Sequence, residues 1–224
     1  MITKKSGFTL SEVLITLAII GVVAALTLPI LIQNIQQKIL ISRWKKAYAD
    51  INQAFELVKS QDEFDKYYNC QENYCFQNVS KLILDKYIAK TGNIGAQATA
   101  DIAEYKTILG DTFITSPTFH AAYNVNDMTF YTWSFFYHSA TIYVDVNGAK
   151  NKPNILGKDL FALEIVNDKI EPIGKTAAGD FCKGFGEYIG YGVQSIYYDD
   201  KGNVKNVPLS NYAGLGCSYD YLYK

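Results

Sequence analysis

The sequence predicts an α+β chain in which one long amino-terminal helix packs against an antiparallel β-sheet head. Three observations carry that expectation. From Phe8 to Ile32 the chain is apolar, with Glu12 as its only charge. From Leu31 to about Gln61 apolar residues recur at the three-and-four spacing of a helix face. Beyond Thr129 the composition turns to aromatic, threonine and β-branched runs punctuated by turn residues.

The first of these stretches holds 25 residues. At about 1.5 Å per residue it spans roughly 37 Å, enough to cross a hydrocarbon core with some tilt. A carboxylate inside such a span costs roughly 2.5 to 3.5 kcal/mol near the bilayer centre and less toward the interface, so Glu12 demands a specific partner. Lys4 and Lys5 precede the span and by the positive-inside rule hold the amino end in the cytoplasm. A simple secretory signal fits poorly, because an amphipathic helix rather than a loop follows Pro29. In that continuation Ile35, Ile39, Leu40, Trp44, Ala47, Tyr48, Ile51, Ala54, Phe55 and Val58 draw one stripe. Arg43, Lys45 and Lys46 read as a solvated face just past the span. Pro29 removes a backbone donor and is expected to kink or locally melt the helix.

Lys-Lys-Ser-Gly7 followed by Phe8-Thr-Leu-Ser-Glu12-Val-Leu-Ile-Thr-Leu-Ala-Ile-Ile-Gly resembles the signal of type IV pilins and type II secretion pseudopilins. Ser11 departs from the larger apolar residue more usual before the glutamate. The resemblance is strong over about the first 30 residues and weaker along the amphipathic continuation. It implies a pilin-like fold, cleavage after Gly7 by a prepilin peptidase and N-methylation of Phe8, with Glu12 and Pro29 acting in assembly. The implied organisation is a leader at 1–7, a helix at 8–61 that is membrane-spanning over about 8–32 and amphipathic over 33–61, and a globular head at 62–224 with a C-terminal disulfide loop. The implied partners are other pilin or pseudopilin subunits, the peptidase, the membrane and an assembly platform. The implied location is the cytoplasmic membrane, single-pass with the head outside the cytoplasm, and after assembly an extracellular or periplasmic fibre. A freed Phe8 amine and a neighbour's Glu12 can neutralise each other in low dielectric. The alternative role is a minor pilin at a fibre tip, acting as an adhesin or as a DNA- or glycan-binding module.

Net charge is −1, so no strong electrostatic grip on nucleic acid is expected. Cys70, Cys75, Cys182 and Cys217 lie in the exported part, where disulfides form. Three connectivities are open; spacing favours Cys70 with Cys75 and Cys182 with Cys217. In the head, one helix is expected around Val79 to Ile88, ending before Thr91-Gly92-Asn93. Strands are expected within Thr129–Tyr137, at Thr141–Val146 with Ile142, Val144 and Val146 on one face, at Phe161–Val166 and at Lys169–Ile173. A tight turn is expected at Asn167-Asp168 and another hairpin at Asp200-Lys201-Gly202, with a sheet of about four strands and a loop-rich C-terminal third.

Asp145, Asn147, Asn154 and Asp159 concentrate oxygen ligands around turn residues and form a candidate calcium loop. Ala149 falls on the third ligand position and no glutamate closes the loop, so a self-bonded turn with no cofactor competes with it. His120 and His138 sit among aromatics, and the chain has no Gly-x-Ser-x-Gly elbow, HExxH or P-loop, so no enzyme is expected. The 18 tyrosines and 12 phenylalanines fill the sheet and the helix-to-sheet core, or else form a binding face.

Overall fold

The computed structural model describes residues 7–61, 64, 79, 82–88, 104–113, 119–125, 127–133, 141–166, 168–174, 182, 196–198, 204–206 and 214–223. Helix α1 runs from Leu10 to Lys59, and one π-helical turn covers Leu84–Ile88. The strands are β1 (Phe119–Val125), β2 (Met128–Trp133), β3 (Thr141–Asp145), β4 (Leu160–Val166), β5 (Lys169–Pro172), β6 (Ile196–Tyr198) and β7 (Val204–Asn206). Helix α2 covers Cys217–Tyr223. Internal contacts divide the chain into two units, Met1–Ile39 and Leu40–Lys224, so α1 contributes to both.

In the first unit the helix continues through Pro29, so of the kink or local melting expected there the melting does not occur. Thr27, two residues before the proline, donates its hydroxyl to the Val23 carbonyl at 2.9 Å, a bond within its own turn. The apolar side chains of this unit face outward, from Leu10 through Leu14, Ile20, Leu26 and Ile32. Ile35 and Ile39, which continue the helical stripe in the sequence, are likewise about half exposed.

The second unit is α+β. Five antiparallel strands form one sheet in the order β1-β2-β3-β4-β5, and β6 and β7 form a separate two-stranded sheet. The register pairs Phe130 with Val144, Val144 with Phe161, and Ile165 with Ile170. Trp44, Ala47, Ile51, Ala54, Phe55 and Val58 from α1 join Phe130, Ile142, Val144, Phe161 and Leu163 in one buried cluster. Trp44 is central to it: its ring stacks on Phe161 at 4.8 Å, and its indole N–H donates to the Ser218 carbonyl at 3.0 Å. A buried tryptophan needs such a partner.

Two expectations need correction, the number of strands and the exposure of Arg43. The sheet has five strands rather than about four, because β1 is a strand although His-Ala-Ala-Tyr-Asn carries little β signal. Its side chain of His120 is not described, and His138, with the rest of Ser134–Tyr137, lies outside the described residues. Strand β3 is buried on both faces from Thr141 to Asp145, and Ile142 and Val144 lie in the core cluster with Val146. In the C-terminal third β6 and β7 pair antiparallel on either side of the expected hairpin position, and α2 follows. Asp168 adopts a positive φ of 58° before β5, in the expected turn, whereas Asn167, Thr91-Gly92-Asn93 and Asp200-Lys201-Gly202 lie outside the described residues. Arg43 is half-buried and donates to the Val146 carbonyl at 3.2 Å, so only Lys45 and Lys46 of the basic cluster are exposed.

Candidate functional site

Gly7, Phe8 and Thr9 precede the first helical residue, and the Phe8 side chain is 90% exposed. Thr9 and Glu12 then bond reciprocally. The Thr9 amide and hydroxyl each donate to Glu12 Oε2 at 2.8 Å, and the Glu12 amide donates to Thr9 Oγ1 at 3.3 Å. This is a capping box: the threonine satisfies an orphan amide of the first turn and the glutamate satisfies another. Sequence reasoning treated Glu12 as a lone charge and passed over Thr9, although Thr-x-x-Glu ahead of an apolar run is the signature of that box. Among the described residues one helix, α1, is long and apolar enough to cross a membrane, with a mean hydropathy of 2.7 in its most apolar window.

The loop from Asp145 to Asp159 brings together the four candidate calcium ligands, and the carboxylate oxygens among them already accept hydrogen bonds. Asp159 Oδ2 accepts the Asn154 amide at 2.7 Å and Oδ1 accepts the Ile155 amide at 2.6 Å. Asp145 Oδ1 accepts the Asn147 amide at 3.1 Å, and Oδ2 accepts the Tyr105 hydroxyl at 2.5 Å. Asn147 Nδ2 donates to the Lys152 carbonyl at 2.9 Å, and Asn154 Nδ2 to the Ala149 carbonyl at 3.3 Å. The Oδ1 atoms of both asparagines are buried without a hydrogen-bond partner. Calcium takes six to eight oxygens; here N–H and O–H donors converge on both carboxylates, while the two asparagine Oδ1 atoms have no such donor. Among the described residues no group of three or more His, Cys, Asp or Glu side chains is placed to hold a metal.

The loop is pinned from outside by a segment the sequence does not flag. The Lys106 amide donates to the Asn154 carbonyl at 3.0 Å, and the Leu156 amide to the Lys106 carbonyl at 2.8 Å. Tyr105 reaches Asp145 from this segment and stands 3.0 Å from the Tyr131 hydroxyl. Burial pushes the Asp145 carboxyl up to about 7 against the opposing Tyr105 hydrogen bond, and nearby Asp159 adds to the rise. Asp159 is raised by its own burial, and burial likewise raises both phenols.

Cys182 and Cys217 form a disulfide with their Cα atoms 4.3 Å apart. Cys70 and Cys75 lie outside the described residues.

The first unit is thus an apolar helix, capped at an amino end that lies just after a glycine, and long enough to cross a membrane. Residues 2–28 match the family model described as the prokaryotic N-terminal methylation motif, the signal found in type IV pilins and pseudopilins. No curated protein and no solved structure matches the chain.

Proposed function

We propose that the chain is a structural subunit of a type IV pilus-like or type II secretion pseudopilus fibre. It enters the cytoplasmic membrane as a prepilin with Lys4 and Lys5 inside and the head outside. A prepilin peptidase cuts after Gly7, Phe8 is N-methylated, and an assembly platform draws the subunit into a bundle of α1 helices. Glu12 pairs with the amino terminus of a neighbour and sets register, while Pro29 shapes the helix around it. No enzymatic activity and no nucleic-acid partner belong to this reading.

The observation that carries it is Glu12 as the only charge in an apolar stretch whose side chains face outward. Such a surface serves two environments in turn, lipid before assembly and equivalent helices after it, and a carboxylate is retained there only for a partner. The loop from Asp145 to Asp159 enters this reading as a structural turn without a cofactor, supported by its converging donors. Co-expression with a prepilin peptidase tests the processing step by intact mass. The expected product has lost residues 1–7 and gained a methyl group, Gly7→Leu blocks that change, and an unaltered mass for the unsubstituted chain overturns the reading.

A further inference from the structure

A cleft of about 410 Å³ opens within the second unit, where the last turns of α1, strand β5 and helix α2 meet. Tyr48, Asn52 and Glu56 line it from α1, Glu171 from β5, and Tyr219 and Tyr223 from α2. The volume falls in the range of small-ligand sites. Its aromatic wall is organised. The Tyr219 and Tyr223 rings lie 4.8 Å apart at 34°, the Tyr48 and Tyr223 hydroxyls are 3.0 Å apart, and Tyr223 remains 57% exposed. Asn52 is oriented by its Nδ2, which donates to the Tyr48 carbonyl at 2.9 Å.

The geometry points to a binding site for a neutral saccharide chain. Ring faces with a partly exposed tyrosine at the rim suit the C–H faces of a pyranose, which present weakly positive hydrogens to the negative face of an aromatic ring. Phenol, amide and carboxylate groups around them supply both donors and acceptors for sugar hydroxyls. Charge separates this ligand class from the others. Glu56 and Glu171 are matched by Lys169 on the wall and by Lys59, which lies 3.9 Å from Glu56. A balanced rim offers little to a polyanion or a polycation, whereas a neutral polyol needs no net charge. A peptide added to the edge of β5 is opposed by the strand itself. It is four residues long and carries Lys169 and Pro172, all features that discourage strand addition.

The test uses the purified full-length chain in a zwitterionic detergent, because glycoside detergents would compete for the cleft. Cellohexaose, chitohexaose and maltohexaose serve as neutral probes, a heparin hexasaccharide as the polyanion and an alternating Thr-Val heptapeptide as the strand. Saturable binding of at least one neutral probe is expected by calorimetry, insensitive to salt and weakened at least tenfold in Tyr223→Ala and Asn52→Ala. Circular dichroism confirms that each variant folds, and Glu56→Gln, a change at an exposed side chain, replaces any that does not. Absence of binding by all three neutral probes overturns the proposal. So does neutral binding that the variants leave intact, salt-sensitive binding of heparin in its place, or binding of the heptapeptide in its place.

Discussion

Tyr105 donates its hydroxyl to Asp145 Oδ2 at 2.5 Å and buries that carboxyl beside a second phenol, Tyr131, at the end of β3. A carboxyl raised to about 7 in the fold and near 4 in the unfolded chain stabilises the fold most below pH 4, and the contribution is lost as pH rises toward 7. Asp159, also raised, acts in the same direction. The loss amounts to up to roughly 4 kcal/mol across that window. Urea unfolding at pH 5 and pH 8 should therefore show the lower stability at pH 8, and Asp145→Asn should remove most of the difference. A variant whose pH profile parallels the unsubstituted chain would refute this account.

The reciprocal bonds between Thr9 and Glu12 give the carboxylate a partner within its own helix before any neighbour arrives. On the proposed reading, assembly exchanges part of this arrangement for a neighbouring amino terminus. Glu12→Ala should leave the protein membrane-inserted but depleted from sheared fibres. Thr9→Val keeps the charge and removes the cap hydroxyl, at about 1 kcal/mol for a lost helix cap. It should reduce incorporation less than Glu12→Ala does. Fibre fractions containing normal amounts of the Glu12→Ala protein would remove the pairing mechanism.

The disulfide between Cys182 and Cys217 closes a loop with a sequence separation of 35. Chain entropy assigns such a loop about 3 to 4 kcal/mol. The Cys182→Ala, Cys217→Ala double variant should melt roughly 10 °C lower, given the usual few degrees per kcal/mol at this size. A fall of only one or two degrees would show that α2 is held by packing rather than by the crosslink.

Legibility in the sequence followed periodicity. The spacing of Trp44, Ile51, Phe55 and Val58 marks a helix face because all four must reach one core, and Glu12 stands out because an apolar run makes any charge visible. Strand β1 was not legible, since Ala121 and Ala122 contribute little local preference and the strand exists through its pairing with β2. The role of Arg43 was hidden for a similar reason: a basic residue on a helix reads as solvated until a carbonyl from a distant turn, that of Val146, comes within reach. The four loop residues were recognisable as a set. Their chemistry depended on Tyr105 and Lys106, about 40 to 50 residues earlier, which no local pattern connects to them.

Calcium provides a direct check on the loop. A site saturated a hundredfold above its dissociation constant would add about 2.7 kcal/mol, several degrees in melting temperature for a chain of this size. Because donors converge on Asp145 and Asp159, melting in 5 mM calcium and in chelator should agree within about 1 °C. A rise of several degrees that Asp159→Asn abolishes would establish the ion and overturn the self-bonded reading.

Gly157 and Gly214 mark where the loop and the start of α2 touch through bare backbone. Both have positive φ, 84° and 106°, a region that L side chains rarely adopt. A Cβ on Gly157 would collide with the Gly214 carbonyl oxygen and come within 2.8 Å of Cys217 Sγ, while one on Gly214 would strike the Leu156 carbonyl. Neither obstacle is the flexible end of a side chain, so relief requires the two segments to separate. That movement would pull Ser218 away from the Ala162 amide, which donates to its hydroxyl at 2.9 Å, and from the Trp44 indole. Gly157→Ala should thus destabilise the head by roughly 3 kcal/mol or more, combining backbone strain with lost buried hydrogen bonds. Gly110→Ala has a similar φ of 94° but nothing within 4 Å of the added carbon, so it isolates the conformational part. Denaturant unfolding of the two variants should show the larger loss at Gly157; equal losses would mean that φ alone, and not the close approach, fixes glycine there.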